Sequence, residues 1–531
     1  MSHKLSRRQF LGSLLLTAGG LVAGRCTSET REPTTDAPAT STPIVSGPVV
    51  SGPIQLTILH INDLHGALYA SAKGDRERGG AAQLFGLVER ERASAPGPVL
   101  LLDAGDAYQG SYVSNRSRGE AVFEILNAAG LDVMALGNHE FDWGLDVLGE
   151  RIRQAHFPVL AAILEAASGG PLESILPGVR PYVVLDAGGV QVGVLGLTYH
   201  NLAEIVRASA IEGLRTLPGI ETVQRYLPEL QQEADLVVVL SHLGLEADRE
   251  LARALPELPL IVGGHSHTLL KKGDQVAQTT IVQAGAYGEY LGKVTLSLDL
   301  SQEGITGKRI QAATMAVTQA APAHQAVEAI VDRWAQKVEA SGSQVVGETT
   351  IPLLQEYGVE TALGNLVTDG ARAADLGDGR QAEISLYNDG GIRADLDAGP
   401  ITYAELYSVL PFENSLIGVD LAGAQVVQML EDGIGEWGSE IQVSGLSFAY
   451  DLSREQGTRV TQVTVAGEPL DKLRTYRVVT VDYLYTHPQF ENSLGQGTDV
   501  VYDGLHLDTV ADYLRAHSPV TPQVEHRIRR L

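Results

Sequence analysis

The sequence predicts an α/β protein with more than one folded domain, on three observations. The chain has 531 residues, enough for roughly two to four domains of ordinary size. Several apolar runs of strand length are continuous rather than alternating, as expected for strands buried on both faces of a sheet. They are IQLTILHI, PVLLLD, DVMAL, DLVVVLS and LPLIVGG. Amphipathic segments such as AAQLFGLVERERA lie between several of these runs and predict helices that cover the sheet.

Residues 1–26 are predicted to be a twin-arginine export signal. SRRQFLG at residues 6–12 precedes the apolar run LGSLLLTAGGLVAG, which is too short for a comfortable membrane span. Such a signal is read by the twin-arginine export machinery, so we expect a periplasmic or extracellular protein. The single cysteine, Cys26, excludes an internal disulfide. It leaves open either a lipid anchor at Cys26 or plain cleavage of the signal, followed by a disordered Ser/Thr/Pro-rich linker over residues 27–53.

The remaining chain divides into two predicted domains and a connector. The apolar strands predict a first α/β domain over residues 54–317, with a β-hairpin in VVLDAGGVQVGVLGLT. The segment AHQAVEAIVDRWAQKVEASG predicts a helical connector over residues 318–342, which is either a rigid spacer or a hinge. The second domain covers residues 343–531 and contains a helix in LGNLVTDGARAA, the loop NDGGIR and a closing helix near DTVADYL.

The charge balance limits the partners that the chain can bind. The formal net charge is −26, which argues against a basic face for nucleic acid, so we expect no nucleic-acid partner. The same charge opposes an anionic substrate unless the local field is strongly positive. Bound metal cations can supply such a field.

Polar residues with metal-ligating chemistry follow five of the predicted strands. The carboxyl ends of strands in α/β sheets are where ligands bind. The residues are Asp63, His65, Asp106, Asn138, His139, Asp142, His242, His265 and His267. Each short motif alone is common in surface loops, but five strand ends together indicate one site. Oxygen and imidazole ligands without thiolate suit two divalent cations such as Mn, Zn, Fe or Co, with Asp106 as the natural bridging carboxylate.

This order of motifs resembles the signature of the calcineurin-like metallophosphoesterases. NDLHG, GDAYQGS, GNHEFDWG and GGHSHT are similar to the secreted bacterial 5′-nucleotidase and UDP-sugar hydrolase branch. LGNL, YNDGGIRADL and LPFENSL resemble the C-terminal domain of that branch. The resemblance covers essentially everything from residue 54 onward. It implies a four-layer α/β/β/α metallophosphoesterase domain, followed by a C-terminal α/β nucleotide-binding domain.

The resemblance also implies roles for the strand-end residues. The expected ligand sets are Asp63, His65, Asp106 and His267 for one metal, and Asp106, Asn138, His242 and His265 for the other. His139 would stabilise the transition state or protonate the leaving oxygen, with Asp142 orienting its imidazole. The nucleophile would be a metal-bound water or hydroxide. For Glu140 we expect only the role of an acid at a helix start.

The second domain supplies the candidates for substrate binding. In NDGGIR, Asn388 offers a donor and an acceptor, Gly391 permits close approach of backbone, and Arg393 suits a phosphate. Phe412 and Tyr483 match positions where the family sandwiches a nucleobase, although each ring alone would more often be a core residue. Asn138 of the first domain would also touch the phosphate.

Two departures from the family pattern affect substrate choice. Relatives often carry an arginine just before LGNL, but no arginine occurs here between Arg333 and Arg372. The Gly-Gly-Asp loop expected after Tyr483 is replaced by THPQFENSLGQGTD, in which Asp499 is the candidate for the nucleoside-binding aspartate.

The favoured interpretation is a secreted dinuclear-metal phosphohydrolase that releases phosphate from 5′-nucleotides. The two departures motivate an alternative with the same metals, a 2′,3′-cyclic-nucleotide phosphodiesterase or a nucleotide-sugar hydrolase. A sulfur-oxidation hydrolase fits the motifs less well. A non-catalytic nucleotide-binding protein also fits less well, because both ligand sets are complete.

Overall fold

The computed structural model describes residues 52–73, 76–170, 172–206, 208–301 and 304–531. The export signal, Cys26 and most of the predicted linker lie outside these residues and stay predictions. Within the described residues, no helix combines the length and the apolar character that crossing a membrane requires.

Two large sheets form the centre of the first domain. In chain order the strands are β1 (Gly52–Ile61), β2 (Ala70–Lys73), β3 (Arg76–Gly79), β4 (Val99–Asp103), β5 (Val133–Ala135), β6 (Val159–Leu160), β7 (Leu164–Ala166), β8 (Val179–Arg180), β9 (Tyr182–Ala187), β10 (Val190–Leu197), β11 (Leu214–Thr216), β12 (Leu236–Ser241), β13 (Leu260–Gly263), β14 (Asp274–Val276), β15 (Thr279–Val282), β16 (Tyr290–Ser301) and β17 (Gly304–Ala316). One sheet has the order β17-β16-β1-β4-β5-β6-β8, and the other has the order β14-β15-β13-β12-β10-β9.

Helices cover the outer face of each sheet. They are α1 (Ala81–Ser94), α2 (Tyr112–Arg116), α3 (Glu120–Ala128), α4 (Gly144–Gln154), α5 (Leu202–Ile205), α6 (Gly219–Glu233), α7 (Leu245–Ala254) and α8 (Gln325–Gly342). Single 3₁₀ turns lie at His139–Phe141, Leu172–Ser174 and Ala208–Ile211. The domain is therefore layered α/β/β/α, and the predicted fold class is confirmed.

The layering explains why the strands are apolar on both faces. In β1, Ile58 belongs to the core between the sheets, and its neighbour Leu59 belongs to the core beneath the helices. Successive strand residues point to opposite faces, so a strand between two cores must be apolar at every position. The predicted hairpin is also present, since β9 and β10 pair antiparallel with Ala187 opposite Val190.

The connector is helical as predicted and packs on the first domain. Val327, Ile330 and Trp334 of α8 are buried in the core of that domain. The indole Nε1 of Trp334 donates a hydrogen bond to the Glu124 carboxylate at 3.0 Å. Over most of its length this helix is therefore part of the first domain.

The second domain is built around a five-stranded sheet of order β22-β19-β26-β21-β27. Its strands are β18 (Val345–Thr349), β19 (Ile384–Asn388), β20 (Gly399–Thr402), β21 (Ser415–Ala422), β22 (Ile441–Ser444), β23 (Leu446–Tyr450), β24 (Val460–Val465), β25 (Glu468–Pro469), β26 (Thr475–Val481), β27 (Thr498–Leu505) and β28 (Ile528–Arg530). Its helices are α9 (Ala362–Arg372), α10 (Tyr403–Val409), α11 (Gly423–Asp432), α12 (Asp482–Thr486) and α13 (His506–His517). The helices predicted in LGNLVTDGARAA and near DTVADYL are α9 and α13.

Polar and aromatic contacts join the two domains next to the first-domain strand ends. The Tyr112 ring of the first domain lies 5.2 Å from the Tyr407 ring of the second. The Asn115 side chain donates a hydrogen bond to the Pro411 carbonyl at 2.9 Å. These contacts bring the loop after β20 and α10 over the carboxyl ends of the strands that carry the predicted ligands.

Candidate metal centre and substrate cavity

The predicted metal ligands converge at one place although their strands belong to two sheets. Asp63, Asp106 and Asn138 follow strands of one sheet, and His242, His265 and His267 follow strands of the other. The ligand atoms form two compact groups, Asp63, His65 and His267, and Asp106, His242 and His265, each with its atoms within 4.8 Å of one another. A third such group, His65, Asp106 and His139, overlaps both.

Asp106 lies between these two groups. Its Oδ2 atom is 3.1 Å from His242 Nε2 and 3.9 Å from His65 Nε2. The side chain is almost completely buried, and a buried carboxylate needs positive partners close by. The position suits a carboxylate shared between two cations.

Backbone carbonyls orient two of the histidines. His65 Nδ1 donates to the Gln109 carbonyl at 2.9 Å, and His242 Nδ1 donates to the Ala104 carbonyl at 2.6 Å. Each contact leaves Nε2 directed at the ligand group, and such a hydrogen bond at the far nitrogen prepares a histidine for a metal. His242 Nε2 is buried and faces Asp106 Oδ2 at 3.1 Å.

The electrostatics of these histidines fit cation binding. Burial lowers the pKa of His65 well below its usual value and that of His265 to about 4, so both are neutral imidazoles. For His242 burial acts in the same direction, but Asp106 and Asp63 outweigh it and raise the pKa to about 10. The carboxylates thus attract positive charge at a point where a divalent cation would displace the proton. The residues present fit a metal site.

The ligand loops adopt backbone conformations that ordinary side chains avoid. Five of the predicted ligands have positive φ angles between 48° and 70°, namely Asp63, His65, Asp106, His265 and His267. Such conformations cost on the order of 1–3 kcal/mol each and persist only where the surrounding structure enforces them. The loops therefore hold the ligand atoms in place at a cost in stability, which is typical of functional sites.

Glycines and a buried glutamate bring the Asp106 and Asn138 loops together. A Cβ atom on Gly137 would lie 2.2 Å from Asp106 Oδ1, so only glycine fits there. The Glu140 carboxylate accepts hydrogen bonds from the backbone N–H groups of Asp106 at 2.9 Å, Ala107 at 2.8 Å and Gly137 at 2.7 Å. Burial and the charge of Asp106 raise the pKa of Glu140 to about 7, against these hydrogen bonds.

The expected role of Glu140 is therefore corrected. Glu140 is fully buried and its carboxylate crosses to the neighbouring loop, so it is not a solvated acid at a helix start. Glu140 is visible in the sequence as the fourth residue of GNHE. Nothing in the spacing of the motifs indicates that its carboxylate would accept from the N–H groups of Asp106 and Ala107.

His139 and Asp142 form the pair expected of a catalytic acid and its orienting carboxylate. His139 Nδ1 lies 2.8 Å from Asp142 Oδ2, and the His139 backbone N–H donates to Asp106 Oδ1 at 2.8 Å. Burial lowers the pKa of His139, but the charges of Asp142 and Asp106 outweigh it and the net pKa is raised. With Nδ1 held by Asp142, Nε2 is the nitrogen available to a substrate.

A cavity of about 250 Å³ lies between the two domains beside this pair. The first domain contributes Asn138, His139, Asp142 and His265 to its lining, and the second contributes Asn388, Gly391, Arg393, Phe412 and Tyr483. The His139 and Phe412 rings are 5.7 Å apart across it. The structure thus brings the predicted catalytic residues next to nearly all of the predicted substrate-binding residues.

Arg393 is half-buried, with contacts that the sequence did not indicate. Its guanidinium lies 5.9 Å from the Phe412 ring and hydrogen-bonds the Tyr287 hydroxyl. The Tyr287 ring is also 5.4 Å from the His65 ring, so one tyrosine contacts both the metal ligands and the arginine. Tyr357, from the segment where relatives carry an arginine, also lies near this guanidinium.

Asp499 is the predicted site residue that the structure does not bring to the cavity. It lies at the start of β27, where Arg380 Nη1 is 3.5 Å from its carboxylate, and its side chain is 70% exposed. Its backbone carbonyl accepts a hydrogen bond from Arg477. The longer segment after Tyr483 forms two 3₁₀ turns, at Pro488–Phe490 and Leu494–Gln496, and β27 therefore begins away from the cavity.

Asn62 is a further site residue that the sequence analysis missed. Its amide Nδ2 donates to Asp63 Oδ2 and to the Gly285 carbonyl, both at 2.6 Å, and its Oδ1 accepts from the Ala284 N–H at 2.8 Å. It therefore fixes the Asp63 carboxylate against the loop after β15. Its position directly before Asp63 in NDLHG was the only available signal.

We expect Glu140→Gln to destabilise the protein and weaken metal retention. The amide presents an NH₂ group where the carboxylate accepts N–H donors, and an unsatisfied buried donor costs about 1–3 kcal/mol. Thermal unfolding and metal content after dialysis measure the two effects. The matched control is Glu150→Gln, because the Glu150 side chain is 59% exposed. Equal behaviour of the two variants would contradict the role given to Glu140.

Comparison with known proteins agrees with this geometry. The calcineurin-like phosphoesterase family profile matches residues 56–269, and the 5′-nucleotidase C-terminal domain profile matches residues 344–489. The solved structure of the 5′-nucleotidase precursor from Thermus thermophilus is similar with a TM-score of 0.80 and 34% identity, over 90% of this chain and 99% of that chain.

Curated sequences give the same result. The trifunctional nucleotide phosphoesterase protein YfkN of Bacillus subtilis (strain 168) is 28% identical over 89% of this chain, which spans about 35% of that longer protein. The 5′-nucleotidase of Homo sapiens is 30% identical over 90% of this chain and 91% of its own length. The chain therefore belongs to the 5′-nucleotidase family of metal-dependent phosphoester hydrolases.

Proposed function

We propose that the protein is an exported 5′-nucleotidase that uses two divalent metal ions to release phosphate from nucleoside 5′-monophosphates. The observation that carries the proposal is the cavity between the domains. On one side it has His139 and the metal ligands Asn138 and His265, and on the other side Arg393 with the Phe412 and Tyr483 rings. A nucleotide needs metal ligands and positive charge at its phosphate, and aromatic rings at its base.

The ligand geometry supports two cations. Asp63, His65 and His267 would hold one, Asp106, Asn138, His242 and His265 would hold the other, and Asp106 lies within reach of both groups. When bound, the cations would polarise the phosphate, offset its charge and lower the pKa of a coordinated water. Their presence would also let a chain of net charge −26 accept an anion.

The chain's own residues orient the phosphate and provide a proton. Arg393 presents a planar donor fork whose direction is fixed by Tyr287 and Phe412. His139, whose pKa is raised by the charges of Asp142 and Asp106 against the effect of burial, can donate a proton from Nε2 to the leaving ribose oxygen. Phe412 and Tyr483 can stack on any base, and Asn388 can hydrogen-bond its edge.

A phosphodiester substrate is the second candidate, and the charge of the cavity favours it. Arg393 is the one arginine or lysine among the described residues that line the cavity, and Tyr357 stands in the segment where relatives carry a further arginine. A monoester dianion gains more from a second guanidinium than a diester monoanion does. A 2′,3′-cyclic nucleotide is a diester monoanion, so it loses less binding energy than a monoester when a second guanidinium is absent.

The localisation proposal depends on the paired-arginine segment at residues 6–12. Relatives named snake venom 5′-nucleotidases support an exported setting. We expect the mature protein recovered from its source to lack residues 1–25 or more. Mass spectrometry of the mature N-terminus measures this and separates a lipid-modified Cys26 from plain cleavage. An intact Met1 in the exported protein would contradict the proposal.

The first test of the activity is phosphate release from AMP by metal-stripped protein, before and after addition of Mn²⁺. We expect release only after metal is added, with two ions bound per chain. 2′,3′-Cyclic AMP assayed in parallel tests the second candidate. Turnover of the cyclic nucleotide with none of AMP would replace the proposed reaction by the diesterase reaction. Turnover of neither, in protein carrying two metals, would contradict both.

His139→Ala is expected to lower kcat for AMP about 10²- to 10⁴-fold while both metals are retained, because positioned general acids contribute that much. Asp142→Asn should lower kcat by less, since the imidazole remains but loses its orienting charge. His156→Ala is the matched control, because His156 is exposed on the same domain. Full activity of His139→Ala would remove the assigned role, and loss of metal would make it a ligand instead.

A further inference from the structure

A second and larger cavity adjoins the substrate cavity on the second domain. It has a volume of about 620 Å³. Asn388, Gly390 and Tyr483 line both cavities, so the two adjoin at these residues. The catalytic residues His139 and Asp142 line only the smaller cavity. A molecule that reaches from one to the other would thus have its phosphate at the metals and its far end in the larger cavity.

The larger cavity is bordered by aromatic side chains that are unusually exposed. Trp437 is 81% exposed and Tyr357 is 58% exposed, and both line the cavity. Val359, 45% exposed, lies beside them. Exposed apolar side chains gathered at a concave surface mark a binding site more often than scattered ones do.

The segments that present these rings are fixed relative to each other. Gly358 and Ser439 form a bridge between the two backbone segments. The Gly358 N–H donates to the Asp389 carboxylate at 2.9 Å, which ties the first segment to the NDGGIR loop. A Cβ on Gly438 would lie 2.5 Å from the Gly358 carbonyl oxygen, so glycine is required for this approach. The rings therefore border a preformed cavity.

Size indicates that the smaller cavity has no room for a group larger than a nucleoside monophosphate. Sites that enclose a small organic ligand measure roughly 300–1,000 Å³, whereas the smaller cavity measures about 250 Å³. A nucleoside monophosphate with its phosphate at the metal ligands would place its base near Asn388 and Tyr483. A group attached to the base edge that faces Asn388 would then extend toward the larger cavity.

Charge indicates the chemistry of such a group. The larger cavity is lined by three carboxylates, those of Glu360, Asp389 and Glu440, against one guanidinium, that of Arg530. A second phosphate would meet a negative field there, as it would in an oligonucleotide. A neutral or cationic planar group would instead stack on the Trp437 and Tyr357 rings without electrostatic cost.

We propose that the larger cavity is an extension subsite for an uncharged or cationic aromatic group carried on the nucleobase, so that the enzyme prefers base-substituted 5′-nucleotides such as N6-aryl adenylates. The inference rests on the proposed function for the phosphate end of the substrate. It concerns above all Trp437, which the proposed reaction with AMP does not use.

The test compares kcat/KM for ribose 5-phosphate, AMP, N6-benzyl-AMP and the dinucleotide pApA, with metal-loaded full-length protein. Stacking on an aromatic side chain gives about 1–3 kcal/mol per ring, or roughly 5- to 150-fold. We expect N6-benzyl-AMP to exceed AMP by at least about fivefold. Trp437→Ala should remove this gain and leave AMP and ribose 5-phosphate within about twofold. Tyr502→Ala is the matched control, because Tyr502 is 62% exposed and lines neither cavity.

Calorimetric binding of adenosine and N6-benzyladenosine to the same metal-loaded variants tests the subsite without turnover. Failure to release phosphate from any ester would contradict the proposed function, while Trp437-dependent binding of N6-benzyladenosine would still support the subsite. Release from AMP with no gain for the benzyl compound, or a gain that survives Trp437→Ala, would overturn the subsite. A gain for pApA instead would overturn the charge argument.

Discussion

The rest of the site depends on keeping one buried carboxylate, that of Asp106, charged in the interior. Its oxygens contact the His139 backbone N–H and approach two imidazoles that come from different loops. These groups reach it because two sheets pack face to face and end at the same edge. The left-handed ligand loops, the glycine contact at Gly137 and the buried Glu140 all serve this approach. Each of these three features costs free energy of folding when taken alone, and the packing of the other two maintains it.

Local periodicity predicted the elements of the fold well, for a physical reason. Strands such as β1 and β12 lie between two apolar cores, so nearly every residue is apolar and the signal is strong. The same signal does not reveal which strands share a sheet. Five strand ends were expected to meet at one sheet edge, whereas they come from two sheets whose edges coincide. Only three-dimensional packing determines that arrangement.

The limits at the site follow the same logic. Residues whose chemistry is carried by the side chain itself, such as His65 or His267, were identified from residue type and spacing. Glu140 and Asn62 were missed because they act on partners distant in sequence, and Tyr287 was missed because its contacts with Arg393 and His65 link the two domains. Asp499 was misplaced because an altered loop changes the path of the chain before β27. Distance along the sequence carries little information about such contacts.

The two domains divide the work between reaction and selection. In the proposed reaction the first would provide charge and ligands at the phosphate, and its requirements leave little freedom, because metal coordination needs particular atoms at particular distances. The second provides rings, an amide and a guanidinium, which tolerate more variation. Changes in the lining that the second domain contributes would therefore alter which ester is accepted without disturbing the chemistry at phosphorus.

The packing of the connector helix has a mechanical consequence. Because Val327, Ile330 and Trp334 are buried in the first domain, most of α8 is packed as part of that domain. A rotation that opened the cavity would have its axis beyond the C-terminal end of α8, in the short chain between Gly342 and β18 at Val345. With the pivot there, the loops that carry Arg393 and Phe412 would be displaced relative to the ligand atoms of the first domain. The size of that displacement would depend on the dimensions of the second domain and not on any flexibility of the helix.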